Sequence, residues 1–93
     1  MCESKPYLTL YTNPNCVQCD ATKKFLNERN TRYEVIDLST DELAMAAVKD
    51  LGYLQAPVVF ARYPSGAESH WSGFRPDQLA GFVASSKKWG RDE

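Results

Sequence analysis

Two cysteines separated by two residues are the part of this 93-residue sequence best suited to chemistry. Cys16 and Cys19 lie about one helical turn apart if their segment is helical, so their sulfur atoms can meet with little strain. Two thiols so placed can exchange electrons by forming and breaking a disulfide bond. The spacing therefore predicts thiol–disulfide exchange at this pair, and the neighbouring elements decide how reactive each sulfur is.

The cysteine pair stands at a predicted junction between a strand and a helix. Residues 7–12 alternate apolar and hydroxyl-bearing side chains, which is typical of a strand, and Asn-Pro-Asn at residues 13–15 ends it. From Cys16 the apolar residues recur every four positions, which predicts a helix. The first turn of a helix has unpaired amide N–H groups and favours negative charge. We therefore expect the helix start to lower the pKa of Cys16, while Cys19 stays shielded and protonated.

This asymmetry predicts a reaction in two steps. The thiolate of Cys16 attacks a disulfide of a partner protein and forms a mixed disulfide, and Cys19 then attacks Cys16 and releases the reduced partner. The product is a Cys16–Cys19 disulfide that an external donor must reduce again. No bound cofactor is expected, because the redox group is the cysteine pair itself.

The rest of the sequence predicts three more strands and two more helices. Strands are predicted near residues 32–38, 58–61 and 68–71, and helices over residues 40–51 and from Pro76. Turn residues join the last two strands into a hairpin, and the first helix lets the first two strands run parallel. The order β-α-β-α-β-β-α predicts an α/β domain with a mixed four-stranded sheet flanked by three helices. A single domain spans the chain, with flexible ends at residues 1–6 and 87–93.

The two later helices carry clear local signals. Ser39 and Glu42 match a capping box at the start of the second helix, and Gly52 is placed to end it in the left-handed conformation. Its apolar face is predicted to comprise Leu43, Ala44, Ala47, Val48 and Leu51. The last helix is predicted to bury Leu79, Phe82 and Val83.

Composition and charge argue against several classes of protein. The formal net charge is −1, from 11 basic and 12 acidic residues without a dense basic run, so nucleic acid is not an expected partner. No segment reaches the roughly 20 apolar residues that span a bilayer, and the first residues do not resemble a secretory signal. We expect a cytoplasmic monomer. In that reducing compartment, three cysteines indicate catalysis or metal binding rather than structural disulfides.

Metal binding is the alternative from another class of function. A structural zinc site needs four ligands, and besides the pair the sequence offers only Cys2 and His70. A zinc or iron–sulfur binding module therefore stays open as an alternative. A redox-responsive regulator that uses the same pair as a sensor is a further one.

Three segments together resemble the NrdH redoxins, which are glutaredoxin-like proteins of the thioredoxin superfamily. They are the Cys-Val-Gln-Cys motif at residues 16–19, Leu-Gly-Tyr-Leu-Gln-Ala-Pro at residues 51–57 and His-Trp-Ser-Gly-Phe-Arg-Pro-Asp at residues 70–77. The resemblance implies a thioredoxin fold. It also implies electrons from NADPH through thioredoxin reductase, and delivery to class Ib ribonucleotide reductase or to other disulfide-bearing proteins.

The resemblance further implies which residues meet a partner protein. Pro57 matches a proline that is cis in this superfamily and faces the cysteine pair. The residues expected to contact partners are Val17, Gln18, Ala56, Pro57, Trp71, Ser72, Gly73 and Phe74. Packing within the loop is the competing interpretation for Trp71 and Arg75.

The electron donor is the point on which two related interpretations differ. Gln18 stands where many glutaredoxins have an aromatic residue, and residues 72–75 replace a Gly-Gly and acidic pattern that binds glutathione in them. The resemblance therefore favours thioredoxin reductase as donor. A glutathione-dependent glutaredoxin, with the same chemistry, is the runner-up.

Overall fold

The computed structural model describes residues 6–90, with side chains to residue 85, and contains the four strands and three helices in the predicted order. They are β1 (Tyr7–Thr12), α1 (Val17–Glu28), β2 (Glu34–Asp37), α2 (Glu42–Asp50), β3 (Val58–Arg62), β4 (Glu68–Ser72) and α3 (Pro76–Gly90). The four strands form one mixed sheet. The predicted architecture is therefore confirmed.

The sheet has the strand order β2-β1-β3-β4, which the sequence left open. β1 runs parallel to β2 and antiparallel to β3, and β3 and β4 form the antiparallel hairpin. Tyr11 lies opposite Val58, and Val58 lies opposite Ser72. The end of β1, the start of β3 and the end of β4 therefore meet at one edge of the sheet. The cysteine segment, Pro57 and Gly73 adjoin this edge.

Apolar side chains cover both faces of the sheet. On one face, Leu26 of α1 packs with the buried residues of α3, and these are Leu79, Phe82 and Val83 as predicted. On the other face, Ala44 and Val48 of α2 pack against Val58. Full burial of a side chain of valine, leucine or phenylalanine size contributes roughly 1.5–3 kcal/mol, so these contacts fix α1 and α2 on opposite sides of the sheet.

The start of α2 differs from the predicted capping box. Asp41 is the N-cap residue, and its carboxylate accepts a hydrogen bond from the Ala44 N–H at 3.0 Å. Ser39 instead donates its amide and hydroxyl hydrogens to Asp37 at 2.9 and 2.6 Å. These bonds lower the pKa of the Asp37 carboxyl below its ordinary value. The prediction for Ser39 is wrong because α2 begins at Glu42, so the N-cap position falls on Asp41, two residues after Ser39.

The predicted apolar face of α2 is only partly buried. Ala44 and Val48 contact the sheet, whereas Leu43 is 85% exposed and Ala47 is also exposed. A helix of nine residues lying on a sheet covers a narrow stripe, so residues one position to the side stay in solvent. Gly52 follows the helix with φ +94°, as predicted for a left-handed helix end.

The ends of the chain bear on the predicted domain limits. The backbone of α3 is helical through Gly90, which is further than residue 87, where the flexible end was predicted to begin. Residues 1–5 and 91–93 lie outside the described residues, so flexibility of those ends stays a prediction. Within residues 6–90, no helix has the length and apolar character needed to cross a membrane.

Candidate active site

Cys16 occupies the N-cap position of α1. Its extended backbone (φ −107°, ψ 105°) turns the side chain back over the first turn, where its Sγ accepts a hydrogen bond from the Cys19 N–H at 3.1 Å. The Cys16 carbonyl accepts from the Asp20 N–H at 3.1 Å and so begins the helix. A free helix amide therefore points at the sulfur of Cys16, which is the contact that favours a thiolate.

The two sulfur atoms are bonded to each other. The Cys16–Cys19 disulfide joins residues whose Cα atoms are 5.2 Å apart. Cys19 is only 1% exposed, whereas Cys16 is half-buried. Cys16 is therefore more accessible than Cys19, as expected from the sequence, and their roles as attacking and resolving thiol stay predictions.

Gln18 connects the cysteine motif to the segment after β4. Its Oε1 accepts a hydrogen bond from the Phe74 N–H at 3.0 Å. Gly73 has φ +84°, and a Cβ at this position would lie 3.2 Å from the same Oε1 atom. The Gln18 carbonyl accepts from the buried hydroxyl of Thr22 at 2.9 Å. The side chain of Gln18 is exposed to solvent and is held in place by the bond from the Phe74 N–H to its Oε1.

Pro57 brings a third segment to the site. The Ala56–Pro57 peptide bond is cis, as the resemblance implies. The Pro57 carbonyl accepts a hydrogen bond from the Gly73 N–H at 2.8 Å, and its ring is buried. The cysteine motif, residues 56–57 and residues 73–74 are thus linked by two hydrogen bonds through Gly73 and Phe74.

The remaining residues expected to contact partners differ in exposure. Val17 is 82% exposed, and Ala56, Ser72 and Phe74 are half-buried. The Phe74 ring meets Phe25 of α1 edge-on, with ring centroids 6.1 Å apart. Val17 is consequently more exposed than Ala56, Ser72 and Phe74.

Trp71 does not form part of this surface. It is only 4% exposed and packs in the core between the sheet, α1 and α3. Alternation along β4 explains this, since Trp71 lies opposite Val59 and shares its buried face. The expectation of a partner-binding Trp71 is therefore wrong, and the competing interpretation, packing, is correct. Arg75 is exposed and pairs with Asp77 at 3.5 Å, which lowers the pKa of Asp77.

Leu54 was not selected from the sequence, although the structure leaves it 86% exposed. It lies in the connection between Gly52 and the cis Pro57, two residues before Ala56. The available signal was an apolar residue in a short connection where no helix or strand periodicity accounts for it. Leu54 and Val17 are thus two highly exposed apolar residues in segments that form the site.

The metal-binding alternative gains no support from the residues that the structure describes. Within residues 6–85, no three side chains of the His, Cys, Asp and Glu types are grouped as metal ligands. His70 Nδ1 contacts the Tyr53 hydroxyl at 2.9 Å. Cys2, the other ligand that the sequence offers, lies outside the described residues.

Comparison with known proteins decides the family. The glutaredoxin sequence profile matches residues 8–62. The glutaredoxin-like protein NrdH of Escherichia coli K12 is 39% identical over 72 residues, covering 77% of this chain and 83% of that protein. The chain belongs to the glutaredoxin family. This glutaredoxin is also 32% identical over 73 residues to the NrdH protein of Lactococcus lactis IL1403, covering 78% of this chain and 94% of that protein.

A solved structure places this glutaredoxin near the NrdH redoxins in fold as well. The structure of Escherichia coli NrdH-redoxin matches with a TM-score of 0.73 and 37% identity, over 81% of this chain and 92% of that one. The resemblance drawn from the three sequence segments and the thioredoxin fold are both confirmed. With its Cys16–Cys19 disulfide, this glutaredoxin is a thiol–disulfide oxidoreductase.

Proposed function

We propose that this glutaredoxin-family protein carries electrons from NADPH, through thioredoxin reductase, to protein disulfides, and that class Ib ribonucleotide reductase is its principal acceptor. The observation that carries the proposal is the unequal pair at the start of α1. Cys16 is accessible and accepts the Cys19 N–H at 3.1 Å, whereas Cys19 is 1% exposed. The relatives named NrdH support the choice of donor and acceptor.

The first step begins from the reduced dithiol. The thiolate of Cys16 attacks one sulfur of the partner disulfide, so that a new bond joins Cys16 to the partner while the partner's own S–S bond breaks. The departing partner sulfur leaves as a thiolate and takes up a proton from water. The Cys19 N–H stabilises the attacking anion, since a hydrogen bond to a charged acceptor is stronger than one to a neutral acceptor.

The second step regenerates the disulfide described above. Cys19 loses its proton, its thiolate attacks Cys16, and the second partner sulfur departs and is protonated in turn. The partner has then gained two electrons and two protons, and the chain holds the Cys16–Cys19 bond. Because Cys19 is buried one turn inside α1, it reaches only the sulfur of Cys16, so release is intramolecular.

Thioredoxin reductase is the proposed donor because the contacts of Gln18 differ from those expected at a glutathione-binding site. The Phe74 N–H donates to Gln18 Oε1, so this backbone amide is not free to bind a small peptide. The solved relative, Escherichia coli NrdH-redoxin, is described as glutaredoxin-like with a thioredoxin-like activity profile. We extend that profile to this chain, together with a cytoplasmic location, a monomeric state and the absence of a resident cofactor.

Coupled assays test the donor. NADPH oxidation is followed with thioredoxin reductase, this protein and insulin, and in a parallel reaction with glutathione and glutathione reductase in place of the first reductase. The proposal expects turnover in the first reaction and little in the second, and the reverse result overturns it. Turnover of a class Ib ribonucleotide reductase with the same components tests the acceptor. Elemental analysis of the purified protein tests the metal-binding alternative.

A further inference from the structure

A tyrosine in the connection before the cis proline contacts a histidine on the edge strand. The Tyr53 hydroxyl oxygen lies 2.9 Å from His70 Nδ1 and 3.2 Å from the His70 carbonyl oxygen. The two rings meet edge-on, with centroids 5.6 Å apart. The side chain of Tyr53 therefore joins the connection between α2 and β3 to the middle of β4.

Tyr53 and His70 each make a further contact with a neighbouring helix or strand. The Tyr53 N–H donates to the Val48 carbonyl at 3.2 Å and so continues the end of α2. The His70 ring stacks on Phe60, its partner across β3 and β4, with an angle of 13° between the rings. The contact thus connects a helix end to an ordered pair of rings on the sheet.

The proton positions follow from the two distances. The Tyr53 hydroxyl has one hydrogen to donate, and the His70 carbonyl can only accept. Both contacts are hydrogen bonds at once when Tyr53 donates to the carbonyl and Nδ1–H of His70 donates to the hydroxyl oxygen. The two contacts are thus both satisfied in the tautomer of His70 that carries its hydrogen on Nδ1.

Residues 53–57 are then attached at both ends to β4 and the residues that follow it. At one end Tyr53 bonds His70, and at the other the Pro57 carbonyl accepts from the Gly73 N–H at 2.8 Å. Between these ends lie the exposed Leu54 and the half-buried Ala56. We propose that Tyr53 and His70 are positioning residues that hold residues 54–57 beside the cysteine pair for docking of a protein disulfide.

This role rests on the proposed reduction of protein disulfides, and it predicts a specific defect. Tyr53→Phe removes one hydroxyl and leaves the ring, and Tyr33→Phe is the matched control, because Tyr33 donates a similar hydrogen bond to Asn27 at 2.9 Å. With dithiothreitol as reductant, Tyr53→Phe should raise KM for insulin about threefold to tenfold, as expected for loss of one hydrogen bond. Its activity on bis(hydroxyethyl) disulfide, which needs no docking surface, should fall less. Tyr33→Phe should match the wild type in both assays.

Hydrogen exchange provides a readout that does not depend on activity. Amide exchange at Tyr53 and Gly73, whose N–H groups donate to Val48 and Pro57 at the two ends of the connection, should become about threefold to tenfold faster in Tyr53→Phe, whereas exchange in β1 should not change. The nitrogen NMR signals of His70 should show the Nδ1–H form in the wild type and lose that preference in the variant. Unchanged exchange at Tyr53 and Gly73 together with an unchanged KM for insulin overturns the proposal.

A second pair of variants keeps the test sound if Tyr53→Phe folds poorly. His70→Asn retains a side-chain amide near the position of Nδ1, whereas His70→Ala does not. Rescue of the exchange rate and of KM by asparagine, relative to alanine, supports positioning, and equal defects in the two contradict it. If the wild type fails to reduce insulin, the proposed function fails, while the exchange rates still decide whether Tyr53 and His70 restrain residues 54–57.

Discussion

Gln18 and Phe74, 56 positions apart in the sequence, are joined by a hydrogen bond from the Phe74 N–H to Gln18 Oε1 at 3.0 Å. Because Gln18 lies between the two cysteines, this bond connects the redox motif to the residues that follow β4. Gly73 belongs to the same contact, since its N–H donates to Pro57 and its Cα adjoins Gln18 Oε1. The surroundings of the cysteines thus depend on a segment far away in the chain.

Gly73→Ala should destabilise the protein more than Gly52→Ala does. Both glycines have a positive φ, which costs an alanine on the order of 1–2 kcal/mol. A Cβ at Gly52 meets nothing within 4 Å, whereas one at Gly73 would lie 3.2 Å from Gln18 Oε1 and weaken its bond to Phe74. We expect an additional loss of about 1 kcal/mol in the free energy of unfolding, measured in urea.

The background Gln18→Ala separates crowding from backbone strain. Without the Gln18 side chain, Gly73→Ala should cost about as much as Gly52→Ala, because only the positive φ remains. If the difference between the two glycine variants persists in this background, Gln18 is not its cause.

Serine substitutions should separate the roles of the cysteines. Cys16→Ser should abolish disulfide reduction, because it removes the accessible nucleophile. Cys19→Ser should accumulate a mixed disulfide with the partner, which is visible as an added mass under nonreducing conditions. Cys2→Ser serves as the control for loss of a thiol and should keep wild-type turnover with insulin. Full activity of Cys16→Ser would refute the assignment of the nucleophile.

Asp41→Ala should cost more stability than Ser39→Ala. Asp41 caps α2 through the Ala44 N–H, and loss of an N-cap side chain typically costs about 1 kcal/mol. Ser39 bonds only to the exposed Asp37, so its loss should cost no more than a few tenths of a kcal/mol. Thermal unfolding of the two variants provides the comparison. Equal destabilisation would support the capping box that was predicted at Ser39.

The hydrogen bonds between Ser39 and Asp37 predict that the stability of the protein depends on pH. The side-chain and backbone hydrogen bonds from Ser39 lower the pKa of Asp37 in the folded protein. A lowered folded pKa stabilises the protein above the unfolded pKa of aspartate, and this contribution is lost as the pH falls through the folded value. Ser39→Ala should raise the pKa of Asp37 in an NMR titration of its carboxyl carbon, whereas Asp77, which is bonded to Arg75, should not shift.

Substitution of exposed leucines tests partner docking with little effect on the stability of the protein. Leu54 and Leu43 are 86% and 85% exposed, so changing either to serine should alter the free energy of unfolding by less than about 0.5 kcal/mol. Leu54→Ser should raise KM for insulin severalfold, because it removes apolar surface from the connection that leads to Pro57. Leu43→Ser, on α2, should leave KM unchanged. Equal effects of the two variants would argue against a specific contact at Leu54.

Local signals carried most of what was predictable from the sequence. The spacing of Cys16 and Cys19 indicated thiol–disulfide exchange, and Gly52 indicated the end of a helix. The spacing of Leu79 and Phe82 identified the buried face of α3. Each of these depends on residues within one or two turns. Such signals are readable in a single sequence because the physical cause is also local.

The errors and omissions involve residues that are distant in sequence or that compete for one partner. Trp71 alternates with His70 along β4, and the register with β3, which places Trp71 opposite the buried Val59, decides which of them faces the core. The contact between Tyr53 and His70 likewise depends on how α2, which ends just before Tyr53, packs against the sheet. Ser39 does not cap α2 because Asp41, two residues further on, occupies the N-cap position and accepts from the Ala44 N–H.

The position of β1 inside the sheet, between β2 and β3, also has a consequence for biosynthesis. Because synthesis proceeds from the N-terminus, both cysteines are made before Pro57 and Phe74. Until those residues follow, β1 is paired along one side only and Gln18 has no amide to accept from. A product released before Gly73 would therefore carry both thiols of a reductase without the contacts that orient them.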